Sequence, residues 1–329
     1  MTKSISENNN EKLFDHYICE IINHEFANIP QAVKEWISAN EIHEKISQRV
    51  NIFFNRNFKD NFKIEEKNND DISEVSETDF DTHITELGNG KFAVTVIETE
   101  NDFQNDKSRI LLIYKNFNMT EISLGELNKI AKRYKVFNPE GIVFYETSIN
   151  SEENSIFTAE AENISVAGKI SNVRLLQVKD TYEKIQVEKI DNMDFYDKYS
   201  HEYDLFFKAN PFMRNLIIKE SFETLNDILT NGYLFKAVID GQFAGVFAII
   251  RHKTLYYNCY FIREEILFEN FRGKNFASSF QRKVIEELNS GEIDFICGSI
   301  HSQNKASLRT AISCGRTQME TDYFIRFNK

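Results

Sequence analysis

Proline is scarce in this 329-residue chain, with three residues, and tryptophan occurs once. No apolar run reaches the roughly 18 residues that a membrane-crossing helix needs. These shortages exclude collagen-like, proline-rich and helix-spanning membrane proteins. The four cysteines, Cys19, Cys259, Cys297 and Cys314, stand far apart in sequence. They form no short paired spacing of the kind that marks a structural zinc site or a secreted disulfide scaffold. Each is read as a small buried residue rather than a reactive thiol. The N-terminus is polar where a signal peptide would carry its apolar segment, so a cytoplasmic protein with no membrane association is expected.

A strongly basic tract is also missing. The formal charge is −12, and residues 184–329 hold 19 basic and 19 acidic residues, so the excess negative charge falls on residues 1–183. An acidic half repels phosphate backbones, which argues against a broad nucleic-acid surface. What is abundant is core material: 41% hydrophobic residues, with 29 phenylalanines. The length suits two ordinary domains.

Residues 1–183 read as an acidic α+β domain. The first eleven residues are polar and expected to be mobile. Leu13, Phe14, Tyr17, Ile18, Ile21, Ile22 and Phe26 then recur at helical spacing, and Pro30 opens a further helical segment. Residues 60–86 carry ten acids and two lysines with few large apolar side chains, which predicts a solvated linker. Strands are expected at 91–98, 109–115 and 142–145. Ser123 with Glu126 forms a capping-box pattern for a helix to residue 134.

Residues 184–329 show clearer order. A strand from 185 leads into a mostly helical stretch to about 229, interrupted at Asn210-Pro211. Asp240-Gly241 joins two strand patterns as a hairpin signal. Strand-like sequence continues at 254–261 and 266–268, an amphipathic helix at 276–288, and another strand at 294–299. Asn304 and Gly315 bracket a last helix.

The segment 264–277 carries the chemistry. It reads as a strand, a compact basic turn and a helix entrance. Such a turn aims consecutive backbone N–H groups, and the positive end of the helix dipole, at a phosphate. Gly273 permits close backbone approach, and Arg272 and Lys274 supply positive charge.

On that Arg272-Gly273-Lys274 unit, and on Asn304 followed by Ser307-Leu308-Arg309-Thr310-Ala311 and Gly315, residues 184–329 resemble the Gcn5-related N-acetyltransferase (GNAT) superfamily. The resemblance implies a mixed central sheet flanked by helices, with acetyl-CoA or another acyl-CoA held between splayed strands. It also implies backbone contacts from Leu267 and Phe268. Arg272, Gly273, Lys274, Asn275, Phe276 and Ala277 would lie around the cofactor's phosphates, with Asn304 nearby. Asn275 stands where the family usually has glycine. Ala311 stands where many relatives carry a tyrosine that protonates the leaving thiolate, and Arg316 replaces an aromatic residue.

The implied reaction is direct acyl transfer, most simply of acetyl, to an amine-bearing acceptor in a ternary complex. A base for the amine is sought in Glu264 or Glu265, which alternate to opposite faces of their strand. His301, after the next strand, and Tyr260 are further candidates. Cys297, in an apolar setting, is expected to be a neutral buried thiol and no nucleophile. The alternative is a catalytically inactive GNAT-like acyl-CoA-binding or protein-interaction module. The N-terminal half is then an accessory or degenerate acyltransferase-like domain, since it has no comparable phosphate loop.

Overall fold

The structure, a computed structural model, describes residues 3–58, 80–102, 105–147, 158–288, 291 and 293–327. The chain forms two compact units, Met1–Glu162 with Glu320–Lys329, and Asn163–Met319. The sequence placed the change of organisation near residue 183. The compact units change at 162/163, because residues 163–169 pair with a strand of the second unit, and residues 320–329 rejoin the first.

The first unit opens with α1 (Lys3–Ala27), α2 (Gln31–Trp36) and α3 (Ala39–Phe58). The polar first turns, expected to be mobile, continue α1. In α3 the buried residues Ile42, Ile46, Val50, Phe54 and Phe58 recur every four positions. Such a stripe stabilises by about 1.5–3 kcal/mol per large side chain withdrawn from water. Strands β1 (His83–Gly88), β2 (Lys91–Asp102) and β3 (Asn105–Lys115) form an antiparallel meander. Residues 83–86 of the expected linker are thus part of a strand, paired to β2 by backbone hydrogen bonds. Residues 60–79 lie outside the described residues.

Helix α4 (Leu124–Arg133) begins with the predicted capping box: Ser123 Oγ accepts from the Glu126 N–H while Glu126 accepts from the Ser123 N–H. Strand β4 (Gly141–Glu146) then runs parallel to β3, meeting it at Ile110↔Ile142 and Leu111↔Val143. Residues 321–326 pair antiparallel with the other edge of β4. Leu127 and Ile130 of α4 pack on one face of this sheet with Ile110, Leu112, Ile142 and Phe144. Tyr17 of α1 and Phe53 of α3 meet Phe92 and Tyr114.

The second unit takes in most of β5 (Ala159–Lys169), then α5 (Ile170–Leu175), β6 (Ile185–Lys189), α6 (Tyr196–Ala209) and α7 (Phe222–Asn231). A 3-10 turn at Pro211–Asn215 supplies the expected interruption between those helices. Strands β7 (Tyr233–Ile239) and β8 (Gln242–Lys253) meet at the predicted hairpin, where Asp240 and Gly241 both adopt positive φ. Strand β9 (Asn258–Leu267), α8 (Phe276–Glu287), β10 (Phe295–His301), α9 (Lys305–Ser313) and the start of β11 (Thr317–Arg326) complete it. Sheet order across the unit is β5-β10-β9-β8-β7-β6.

The strand segments expected at 254–261 and 266–268 meet in the single strand β9, although residues 254–257 form the turn that precedes it, where the Thr254 N–H donates to the Tyr257 carbonyl. The charged run Arg263-Glu264-Glu265 conceals the continuity in sequence. A bulge accommodates it: Ile249 faces Ile262 and Ala248 faces Glu264, so Arg263 has no counterpart on β8. The bulge also exchanges faces. Tyr260 and Ile262 pack on the α8 side, whereas Ile266 and Phe268 pack against α6 and α7.

Candidate active site

Strands β9 and β10 are parallel and paired over Cys259↔Phe295, Tyr260↔Ile296 and Phe261↔Cys297. Past those pairs they part. β9 stays with β8 as far as Gly245↔Leu267, and β10 stays with β5 as far as His301↔Asn163. The result is a wedge-shaped gap in the middle of the sheet, with its vertex at Phe261 and Cys297. Cys259 and Cys297 are joined as a disulfide beside that vertex, with Cα atoms 6.2 Å apart. Cys297 is therefore buried, as expected, but is not a free thiol. The parallel register brings together two cysteines that lie 38 positions apart in sequence.

At the open end of β9 the chain makes a 3-10 turn at Glu269–Phe271 and then the basic loop. Gly273 takes φ +72 with nothing close to where a Cβ would lie. Asn275 takes φ +64, a left-handed conformation that asparagine tolerates better than most residues, and is the N-cap of α8. Its side chain makes no capping hydrogen bond. In the first turn, Ser278 Oγ is buried with no hydrogen-bond partner among the described residues. The helix entrance thus has unsatisfied polar capacity. The corresponding helix of the first unit does not, because Ser123 and Glu126 close its N-terminus with an oxygen and a carboxylate.

The two cations of the loop differ. Lys274 is exposed and donates to the Asn270 carbonyl at 2.7 Å. Arg272 turns back into the protein: Nε donates to the Leu267 carbonyl at 2.5 Å, and the guanidinium stands 4.6 Å over the Phe206 ring. Burial lowers its pKa from the usual value. Arg272 braces the strand end. The Leu267 carbonyl accepts from Arg272, and the Phe268 N–H donates to the Ala244 carbonyl. Phe276 is buried, and Phe276 and Ala277 pack into the α8 side of the core.

Glu264 and Glu265 face opposite sides, as alternation required. Glu264 is buried towards α6, where Tyr199 Oη donates at 2.5 Å and Tyr203 Oη lies 2.9 Å from each carboxylate oxygen. Burial drives its pKa up to about 7; the two tyrosine hydrogen bonds pull the other way, and Glu220 adds to the rise. The Glu220 N–H in turn donates to Tyr199 Oη at 3.0 Å, and the Glu220 carboxylate pairs with Arg263 at 2.8 Å. Burial raises both tyrosine pKa values, and the nearby carboxylate raises them further, so the hydroxyls stay protonated.

Glu265 points towards α8 and keeps partial exposure at the surface. Its carboxylate is nonetheless desolvated enough to bring its pKa to about 7, against the opposing charge of Arg316 and a hydrogen bond from Gln281. Oε1 of Glu265 has no hydrogen-bond partner among the described residues. Gln281 Oε1 accepts from Arg316 Nη2 at 2.9 Å, so Glu265, Gln281 and Arg316 form one buried polar chain.

The remaining candidates separate from this group. Tyr260 is fully buried in the core with Phe247 and Phe280, its ring 5.6 Å from that of Tyr233. Its ring packs in that core. His301 ends β10, where its Nδ1 accepts from the Gln303 N–H at 3.2 Å. Asn304 caps α9 by accepting from the Ser307 N–H at 3.2 Å. Ala311 is buried.

Sequence reasoning missed Tyr199, Tyr203, Gln281 and Arg316. Tyr199 and Tyr203 lie four apart on an amphipathic helix, a spacing that reads as core. Arg316 stood out in sequence as the residue after Gly315, with no mark of its burial beside Glu265. Among the described residues, no group of histidine, cysteine and carboxylate side chains is arranged to hold a metal ion. A cavity of about 350 Å³ lined by Arg251, His252, Lys253, Asn258 and Ile293 lies at the other end of β9 from the basic loop.

No protein-family model and no curated protein matches the chain. Solved structures similar to it include a GNAT-family acetyltransferase from Colwellia psychrerythraea, at 15% identity and TM-score 0.43, covering 72% of this chain and 81% of that one. A Gcn5-related N-acetyltransferase from Sphaerobacter thermophilus is similar at 12% identity and TM-score 0.42, with 74% and 82% covered. A tandem GNAT protein of clavulanic acid biosynthesis, at 10% identity and TM-score 0.42, covers 71% of this chain and is itself covered over 81%.

Proposed function

We propose that this protein is an acyltransferase that passes an acyl group, most simply acetyl, from acyl-CoA to an amine. The observation that carries the reading is the gap between β9 and β10, flanked by two carboxylates whose pKa values lie at about 7. An extended thioester arm fits such a gap as a strand fits a sheet. The basic loop and the uncapped end of α8 suit its phosphates. Unsatisfied Ser278 Oγ adds a polar group at the same helix entrance.

The acyl thioester supplies the electrophilic carbonyl carbon. The protein's part is to remove a proton from the amine and to tolerate negative charge on the departing sulfur. Glu264 is our choice of base, since it lies on the α6 face of β9 with two hydroxyls against it. A carboxylate with a pKa of about 7 is half ionised near neutrality, which balances availability against basicity. Tyr203 lets it act at one remove: the hydroxyl hands its proton to Glu264 while taking up that of the amine. Glu265, on the opposite face, is assigned to the cofactor side.

The test has two arms. Calorimetry with acetyl-CoA measures binding, and release of free thiol over a panel of primary amines measures transfer. Binding with amine-dependent thiol release is expected. No binding of acetyl-CoA overturns the reading. Binding without release across the panel favours the inactive acyl-CoA-binding module, for which Ala311, without a hydroxyl on α9, is the specific motive.

A further inference from the structure

Arg316 follows Gly315, which ends α9 at φ +76, and its side chain runs back into the core until it is 5% exposed. Nη2 donates to Gln281 Oε1 at 2.9 Å, while Nε has no hydrogen-bond partner among the described residues. The location matters more than the burial. A Cβ built on Gly298 would lie 3.4 Å from Arg316 Nη1 and 3.7 Å from the Ile262 carbonyl oxygen. Gly298 and Ile262 are the residues that directly follow the last paired positions, Cys297 and Phe261. The guanidinium therefore stands at the vertex of the gap, in space that a larger residue at 298 would crowd.

A buried arginine with an unsatisfied nitrogen is costly, and a purely structural network of this kind is often replaced by apolar residues without loss. Among the described residues, the carboxylate that opposes its charge is Glu265. The chemistry of the site has a use for a fixed cation there. Cleaving a thioester leaves a negative charge on sulfur, and Ala311 offers no hydroxyl at its buried position on α9 to neutralise it.

We propose that Arg316 carries the leaving-group charge, its guanidinium pairing with the CoA thiolate at the vertex of the β9–β10 gap. The proposal rests on the acyl-CoA reading above. The amine nitrogen bonds to the acyl carbon and the carbon–sulfur bond breaks with its electron pair on sulfur. The amine's proton goes to Glu264. The thiolate stays beside Arg316 until it takes a proton from water. Arg316 replaces a proton donor with a permanent charge, which holds at any working pH.

The groups facing Arg316 are Glu265 from β9, Gln281 from α8 and the Cys314 thiol at the end of α9, whose pKa burial raises to about 11. The decisive comparison is CoA against desulfo-CoA, bound to the full chain and titrated calorimetrically from about pH 7 to about pH 9.5. CoA should gain several-fold over desulfo-CoA as the pH rises, a bound thiol whose pKa has fallen by about one unit giving at most about tenfold. Arg316→Met should abolish that gain and leave desulfo-CoA affinity within about threefold, while Arg316→Lys retains part of it. Glu265→Gln should keep the gain, which separates the thiol's titration from that of the glutamate.

A wild-type protein that binds both ligands with no pH-dependent difference overturns the role of Arg316 and spares the acyl-CoA reading. A gain that survives in Arg316→Met does the same. Failure to bind either ligand overturns both together. Should Arg316→Met not fold, the wild-type and Arg316→Lys titrations decide the matter.

Discussion

Tyr203 Oη lies 2.9 Å from both carboxylate oxygens of Glu264, a contact made across 61 positions of sequence in the interior of the second unit. The hydroxyl favours the ionised carboxylate, and burial opposes it. The balance between the two sets where Glu264 titrates, and with it the pH at which the proposed base is ready.

Replacing Glu264 with Gln should lower amine-dependent thiol release about 100-fold, the usual contribution of a positioned base. Acetyl-CoA affinity should be little changed. In the wild type kcat/KM should rise as the pH climbs through about 7, because the ionised carboxylate is the active form. A Glu264→Gln profile that keeps this rise would transfer the role to Glu265, which titrates in the same range.

Tyr203→Phe should shift that rise upward. Its hydrogen bond lowers the Glu264 pKa, so its loss raises it, and more alkaline buffer is needed to ionise the base. Full-length pH–rate curves of both proteins test the direction. A downward shift would contradict the hydrogen-bond argument.

Stability should depend on pH with the opposite sense to ordinary acid denaturation. Glu264 and Glu265 titrate at 4.5 when unperturbed and at about 7 when folded. Between those values the folded protein holds protons that the unfolded chain has released. Their contribution is complete below about pH 4.5 and is lost as the pH rises to about 7, on the order of 3 kcal/mol for Glu264. Glu126 and Glu286 have lowered pKa values, so their opposite effect falls at more acidic pH, while His24, lowered by burial to about 4, offsets part of the fall up to about pH 6.5. Thermal unfolding should show Tm falling from about pH 5 to about pH 8, with a shallower fall in Glu264→Gln. Parallel slopes in the two proteins would remove Glu264 as a source.

Lys274→Glu should weaken acetyl-CoA binding several-fold, more at low salt than at high, with unchanged Tm, because Lys274 is exposed. Arg272→Glu is a different experiment. It removes the donor to the Leu267 carbonyl and the guanidinium over Phe206, so it should lower Tm as well as affinity. Equal affinity for acetyl-CoA in wild type and Lys274→Glu at low salt would detach the loop from the phosphates.

Local signals were well legible in the sequence. Ser123 and Glu126, Asp240-Gly241, Asn304 and Gly315 act within a few residues, and each does in the fold what its type and spacing require. The strand, basic turn and helix at 264–277 were readable for the same reason. Long-range consequences were not. The Cys259–Cys297 pair depends on parallel register, and the partners of Glu264 come from α6, more than 60 positions away. That Arg272 folds back over Phe206 was not legible, because a loop cation has no sequence mark to say which way it turns. The bulge at Arg263 hid one strand behind three charges.

The pairing of residues 321–326 with β4 bears on how the protein is made. Until that segment leaves the ribosome, β4 has an open edge, with bare amide and carbonyl groups that any extended neighbour can seize. A chain cut between residues 184 and 319 would be left permanently in that condition. The first unit, although translated first, is finished last.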